Sequence, residues 1–143
     1  LDYPTCEGYI VIGKATTIDI ADNVRVVLTA DEILNYLRVI RRLPVPDNVY
    51  RYAVSLVAKT RVSGDDVHPY AKKYISWGAG PRASQYLIMG AKTNAALKGK
   101  YSPDIEDVKA VAVEVLRHRI VRNYYAEAEG ISTDAIIKEL LDK

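Results

Sequence analysis

A glycine-rich stretch that ends in a proline and an arginine is the part of the sequence best suited to bind an anion. It runs Ser-Trp-Gly-Ala-Gly-Pro-Arg-Ala-Ser over residues 76–84. Glycines let a backbone approach a ligand closely, and Pro81 suits the first turn of a helix, whose unbonded N–H groups attract anions. Arg82 would stand in that turn, where the helix dipole disfavours a cation. Because guanidinium groups bind phosphate well, we interpret Arg82 as a candidate phosphate contact, against the alternative of a solvated or salt-bridged arginine.

Residues 8–15, Gly-Tyr-Ile-Val-Ile-Gly-Lys-Ala, come close to the phosphate-binding loop G-x-x-x-x-G-K-[ST]. In that loop, backbone amides surround a phosphate and the final hydroxyl binds magnesium. Ala15 lacks the hydroxyl, and the four residues between the glycines are bulky or β-branched. We therefore expect ordinary amphipathic structure here, without phosphate binding.

The apolar run at residues 26–28 also imitates a nucleotide-binding motif, because it precedes Asp31 and Glu32 as a strand precedes a magnesium-binding acidic pair. Thr29 and Glu32 have, however, the spacing of a capping box, in which both side chains bind unpaired amides at a helix start. The capping box explains these residues without a metal. We therefore do not expect the chain to carry its own nucleotide-cleaving centre.

The elements that position Arg82 are predicted to be mainly helices. A helix is expected over residues 4–17, although Gly8 and Gly13 are unfavourable within it. Capping residues and apolar residues at helical spacing predict further helices that begin near Thr29, Pro46, Pro81, Ser102 and Ser132. Residues 62–80, with three glycines and mixed charge, predict a long loop. The expected fold is all-α: one domain over residues 1–143, a bundle of five or six helices with a long loop before the helix of Arg82.

Composition narrows the classes of function. A hydrophobic fraction of 49% is enough to fill a core, and the net charge of +2 is too small to indicate nucleic acid by itself. The single cysteine, Cys6, excludes an internal disulfide framework and fits a reducing cytoplasm. No apolar run is long enough to span a bilayer, so we expect a cytoplasmic protein without membrane contact. Because the chain starts with Leu1 and its one methionine is Met89, we expect a piece of a longer protein or a processed product.

The glycine-rich stretch also carries a family resemblance. Gly-Ala-Gly-Pro-Arg-Ala-Ser, at residues 78–84, resembles the sensor-2 motif of the MoxR family of AAA+ ATPases. The resemblance covers nearly the whole chain and continues through residues 91–92, 97–101, 107–108, 115–120 and 126–130, through Tyr3-Pro4-Thr5, and through the segment that ends in Thr60-Arg61.

The resemblance implies that the chain is the helical C-terminal lid beside an α/β nucleotide-binding core. The sensor-2 arginine, which corresponds to Arg82, would reach the ATP phosphates, with Gly80 and Pro81 shaping its approach. Tyr3 and Pro4 would lie at the core-to-lid junction, near the adenine pocket. ATP and Mg²⁺ would bind in the full-length parent, and this fragment by itself would hold neither and would be inactive.

The resemblance further implies partners. These are the AAA+ core of the same chain, neighbouring subunits in a ring that we expect to be a hexamer, and von Willebrand A-type proteins. The parent would remodel client proteins in the manner of a chaperone. The resemblance leaves two alternatives for Arg82, which would contact the nucleotide of its own subunit or that of a neighbouring subunit.

Two rival functions come from other classes. One is a protein-interaction bundle in which Arg82 has no nucleotide role. The other is a helical nucleic-acid-binding module, which would use Arg38, Arg41, Arg42, Arg117, Arg119 and Arg122.

Overall fold

The computed structural model describes residues 3–19, 25–64 and 67–142. The chain divides into an N-terminal unit, Leu1–Ile33, and a larger unit, Leu34–Lys143.

The N-terminal unit contains the first helix, α1 (Cys6–Thr16), and the start of the second, α2 (Ala30–Arg42). Helix α1 begins at Thr5, whose hydroxyl accepts a hydrogen bond from the Gly8 N–H at 3.2 Å. Residues 8–15, which imitate a phosphate-binding loop, therefore lie in an α-helix. The predicted helix over residues 4–17 is confirmed.

The predicted capping box at the start of α2 is also present. The Thr29 N–H donates to a carboxylate oxygen of Glu32 at 2.7 Å, and the Glu32 N–H donates to the Thr29 hydroxyl at 3.3 Å. The bonds from the backbone and hydroxyl of Thr29 lower the pKa of Glu32. Residues 26–28 form no strand. The acidic residues here begin a helix.

The larger unit is built mainly from helices that follow the end of α2. Its elements are α3 (Asp47–Lys59), α4 (Pro69–Tyr74), β1 (Ile75–Trp77), α5 (Pro81–Leu97), α6 (Ile105–Leu116), β2 (Val121–Arg122), α7 (Tyr124–Ala128) and α8 (Thr133–Asp142). Helix α5 packs against α3 and α6, and α6 also packs against α8. The all-α prediction is confirmed, with a two-stranded sheet as a small addition. None of the helices in the described ranges combines the length and apolar character needed to cross a membrane.

Small residues bring α5 and α6 close together. Ala83, Ala91 and Ala95 of α5 are fully buried, and a Cβ added at Gly90 would lie 3.0 Å from a methyl group of Val111 on α6. Large apolar side chains fill the space around this contact. The largest of them are Leu56, Leu87, Leu116, Ile136, Ile137 and Leu140. The resulting core supports α5 along its length.

The far end of α5 is joined to α6 by a buried carboxylate. Asp107 is fully buried and accepts hydrogen bonds from Asn94 at 2.9 Å, Lys98 at 3.2 Å and Lys100 at 2.9 Å. It also forms a capping box with Asp104 at the start of α6. Burial raises the pKa of Asp107, but the bonds from Lys100, the Asp104 N–H and Lys98 outweigh burial, so this pKa lies well below its ordinary value.

The structure differs from the predicted number of helices and from the predicted loop over residues 62–80. The described ranges contain eight helices rather than five or six, because α4 and α7 are short helices in segments of loop-like composition. His68 and Pro69 begin α4, and the His68 ring accepts a hydrogen bond from the Tyr70 N–H at 3.3 Å.

Residues after α4 enter β1, which pairs antiparallel with β2. Asn123 strengthens this connection, because its N–H donates to the Tyr74 carbonyl at 3.0 Å and its side chain donates to the Lys73 carbonyl at 2.8 Å. Such pairing between distant segments has no local sequence signal. Residues 69–77 are therefore structured, and their pairing with β2 helps to hold the start of α5 in place.

Candidate functional site

The start of α5 has the form expected from the sequence. Gly80 is the N-cap residue, in extended backbone and without a side-chain cap, and Pro81 occupies the first turn. Arg82 follows in that turn and is exposed. Among the residues that the structure describes, no carboxylate lies within ion-pair distance of Arg82. The arginine is therefore a cation at the positive end of a helix, without a compensating acid in the described ranges.

A buried threonine holds the loop that leads into α5. The Thr60 hydroxyl, at the end of α3, donates to the Val57 carbonyl at 2.7 Å and accepts from the Ala79 N–H at 2.9 Å. A Cβ added at Gly78 would lie 2.3 Å from the Thr60 carbonyl oxygen, so glycine is required for this approach. Thr60 and Gly78 therefore fix the backbone two residues before Pro81.

Gly80 differs from Gly78 in its surroundings. A Cβ added at Gly80 would meet no atom within 4 Å in the described structure. The fold therefore needs the glycine at position 78 for close packing, whereas position 80 borders open space. The sequence predicts a site role for Gly80 but not the packing role of Gly78, and Thr60 enters the prediction only as part of the family resemblance.

A groove beside Arg82 is lined by several cations and, within the described ranges, by no acid. Its volume is about 890 Å³, within the range of small-molecule sites. Among the described residues, the charged lining residues are Arg41, Arg82 and Lys92, and no aspartate or glutamate contributes to the lining. The other lining residues are Tyr50, Val54, Pro81, Ser84, Gln85, Tyr86, Ile88 and Met89. This composition favours an anionic ligand.

Lys92 is the unusual member of the groove. Its exposed fraction is 8%, although lysine is rarely buried unless paired. The ammonium group donates to the Arg41 carbonyl at the end of α2, at 2.9 Å. The sequence predicts no role for Lys92. A spacing of ten residues is about 2.8 helical turns, so Lys92 and Arg82 are about 80° apart around the axis of α5 and share no regular helical stripe.

The groove suits phosphate groups better than a metal ion. Arginine and lysine are the side chains that bind phosphate in proteins, and the tyrosine, serine and glutamine side chains offer further polar contacts. Magnesium prefers carboxylate and phosphate oxygens, and the described lining residues offer no carboxylate. A nucleotide phosphate therefore fits the residues present, whereas its magnesium ion would need protein ligands from outside this lining.

Tyr3 and Pro4, the other two site residues named from the sequence, belong to the N-terminal unit. They precede α1 and are exposed. Their expected place near an adenine pocket stays a prediction.

Three of the six arginines of the nucleic-acid alternative are engaged within the protein. Arg117 forms a bidentate ion pair with Asp134, in which both hydrogen bonds are 2.6 Å long. The guanidinium of Arg119 lies over the Tyr86 ring, and Arg122 donates to the Ile131 carbonyl at 2.8 Å. These contacts reduce the cationic surface available to a nucleic acid backbone.

Comparison with known proteins assigns the larger unit to a family. The sequence profile of the AAA lid domain matches residues 67–140. Chaperone MoxR1 of Mycobacterium tuberculosis is 36% identical over 90 residues, which cover 63% of this chain and 24% of that protein. The uncharacterized protein YeaC of Bacillus subtilis is 27% identical over 115 residues, which cover 80% of this chain and 33% of that protein. The resemblance inferred from the sequence is confirmed.

A solved structure is similar over the entire chain. It is the crystal structure of a "putative ATPase" from Cytophaga hutchinsonii, which has a TM-score of 0.79 and 31% sequence identity. The match covers 100% of this chain and 44% of that protein. The chain thus spans about a quarter to a third of the curated relatives and less than half of this structural relative.

Proposed function

The chain belongs to the AAA lid domain family, as a lid of the MoxR type, and on this premise we propose that Arg82 senses the phosphates of ATP bound to the parent protein. The observation that carries the proposal is the position of Arg82. It is an exposed cation in the first turn of α5, beside an acid-free groove, and no carboxylate pairs with it in the described ranges.

The residues around Arg82 have distinct roles in this proposal. The guanidinium donates hydrogen bonds to phosphate oxygens and offsets the negative charge that develops during phosphoryl transfer. Gly80 leaves open space in front of the helix, and Pro81 fixes the first turn. Thr60 and Gly78 hold the preceding loop against the end of α3, so that Arg82 moves together with α3 and α5. The lid thereby couples the presence of phosphate to its own position.

The remaining parts of the reaction lie outside this chain. The segment that imitates a phosphate-binding loop is helical, so the nucleotide-binding loop and the magnesium ligands belong to the AAA+ core of the parent. The core and the neighbouring subunits of a ring are the partners of the lid. The similarity to Chaperone MoxR1 supports a chaperone-like parent that remodels client proteins.

The test is steady-state ATP turnover by the intact parent protein with Arg82→Ala. We expect turnover to fall by about 10²–10³-fold, the usual effect of removing one contact that stabilises the transition state. Arg82→Lys, which keeps the charge but loses the planar fork, should recover part of the loss. Arg42→Ala is the matched control, because Arg42 is an exposed arginine that does not line the groove.

Circular dichroism of the variant lid and size analysis of the variant ring establish that folding and assembly are intact. Wild-type turnover by an assembled Arg82→Ala ring would remove Arg82 from the mechanism.

A further inference from the structure

The groove beside Arg82 contains more positive charge than a single sensing arginine requires. We infer that Arg41 and Lys92 form, with Arg82, one polyphosphate-binding groove, so that the lid itself contacts several phosphate groups. The inference rests on the proposed function for the identity of the ligand, a nucleoside triphosphate. It adds two binding residues and predicts measurable binding by the isolated chain, in contrast to the expectation from the family resemblance that this fragment by itself holds no nucleotide.

Lys92 provides the strongest support. The described part of the chain contains two buried charged residues, Lys92 and Asp107. Asp107 receives two lysines, an asparagine and a backbone N–H. Lys92 has one hydrogen bond, to the Arg41 carbonyl, and no carboxylate within ion-pair distance among the described residues. An ammonium group has three N–H donors, and burying its charge without an anion is costly. A phosphate oxygen in the groove would supply the missing acceptor.

Arg41 contacts Lys92 and also lines the groove. Its carbonyl accepts the Lys92 hydrogen bond, and the residue itself lines the cavity. A cation in the last turn of α2 is also favoured by the helix dipole, so its presence there has an ordinary structural explanation. Arg42 shares that explanation but does not line the groove. Comparison of Arg41 with Arg42 therefore separates a ligand contact from a helix-stabilising charge.

The chemistry of the groove favours a polyanion. Three cations line one cavity, no acid is among its described lining residues, and the two arginines offer planar forks that match phosphate oxygens. Tyr50 and Tyr86 line the same cavity and can contribute hydroxyl groups or an aromatic surface. A chain of phosphates carries the charge density that three cations require, whereas an acidic peptide spreads its carboxylates over a longer backbone.

The test is a titration of the isolated chain with inorganic tripolyphosphate, followed by amide chemical shifts and by calorimetry. We expect shifts at residues 81–92 and near Arg41. Arg82→Ala, Arg41→Ala and Lys92→Met should each weaken binding by roughly tenfold, the effect of losing a hydrogen bond to a charged group. Lys92→Arg should keep most of the affinity, and Arg42→Ala should bind as the wild type does.

Each outcome decides the inference. If Arg82→Ala weakens binding while Arg41→Ala and Lys92→Met do not, the three-cation groove is wrong and the proposed role of Arg82 stands. Absence of binding at millimolar tripolyphosphate, or equal weakening by Arg42→Ala, would also overturn it. A glutamate-rich peptide that binds more tightly through the same residues would show that the ligand class is wrong. Circular dichroism establishes that each variant is folded, and the wild-type shifts locate the site without any variant: shifts confined to the surroundings of Arg82, with none near Arg41 or Lys92, would also overturn the inference.

Discussion

The two ends of α5 carry similar positive charge in opposite circumstances. At its C-terminal end, Lys98 and Lys100 both donate to the buried Asp107. At its N-terminal end, Arg82 borders a cavity whose lining, among the described residues, contains no acid. The first arrangement is complete within the chain, and the second leaves its charges uncompensated among the described residues.

This difference in charge compensation distinguishes residues that stabilise the fold from residues that are available to bind a ligand. A buried carboxylate with four hydrogen-bond donors is expensive to disrupt, so substitutions there should affect folding. An exposed arginine without a partner adds little to stability and can be removed at low cost. Its contribution should appear only when an anion is present. The comparison is therefore testable by measuring stability and binding separately.

The largest effect on stability is expected from Asp107→Ala. Its removal leaves the start of α6 without its capping box and the two lysines without their shared acceptor, and should lower the free energy of unfolding by about 3 kcal/mol. Arg82→Ala should change it by less than about 0.5 kcal/mol. Urea unfolding of the isolated chain at neutral pH, followed by circular dichroism, measures both. Equal losses in the two variants would break the contrast between the ends of α5.

The next effect concerns the two glycines before Arg82. Gly78→Ala forces a Cβ against the Thr60 carbonyl and should cost about 2–3 kcal/mol, as overpacking does. Gly80→Ala enters open space and should cost less than about 1 kcal/mol. Thermal and urea unfolding of the two variants make the measurement. A larger loss for Gly80→Ala would mean that contacts other than the approach of Gly78 to Thr60 hold the loop.

A smaller effect should appear in the pH dependence of the free energy of unfolding, through the titration of Asp107. The pKa of Asp107 is lower in the folded chain than its ordinary value of about 3.9, so the unfolded chain takes up the proton first as the pH falls. The stabilisation is therefore present above about pH 4 and is lost below it, with a slope of at most about 1.4 kcal/mol per pH unit.

The carboxylates of Glu129 and Asp134 have lowered pKa values as well, through Tyr74 and Lys73 and through Arg117, respectively. The difference between the wild type and Asp107→Asn isolates the Asp107 contribution. We expect the variant to lose stability less steeply between about pH 5 and pH 2. Parallel curves would show that Asp107 does not titrate differently on folding.

The last prediction is that the isolated chain has no ATPase activity. The isolated chain should hydrolyse no ATP above background, because residues 8–15 form a helix rather than a phosphate-binding loop. Lys14→Ala should leave that background unchanged. Phosphate release that requires magnesium and disappears in Lys14→Ala would mean that this helix does bind nucleotide, and that the Arg82 end is not the chain's main contact with it.

Local signals in the sequence were enough to predict the helix starts. The Thr29–Glu32 capping box and Pro81 at the start of α5 involve neighbours in the chain, and the structure has both. The resemblance to the sensor-2 motif likewise identified the family. The position of Arg82 in the first turn could therefore be derived from the sequence alone.

Contacts between distant segments could not be predicted in the same way. The bond from the Ala79 N–H to Thr60, the Lys92 bond to the Arg41 carbonyl and the pairing of β1 with β2 each join remote parts of the chain. No spacing rule connects such residues, because their proximity results from packing of the whole unit. The sequence therefore predicts no role for Lys92, and it predicts a long loop where residues 69–77 form α4 and β1.

The close seam between α5 and α6 has a mechanical consequence. Gly90 lies against Val111, and the buried Asp107 ties the far end of the pair, so the two helices form a stiff double rod. Helix α5 has 17 residues and is therefore about 25 Å long. If the C-terminal end stays fixed, a displacement of about 4 Å at the N-terminal end of a helix of this length corresponds to a tilt of about ten degrees. A contact that displaces Arg82 would thus tilt α5 and α6 together, with little bending of either helix.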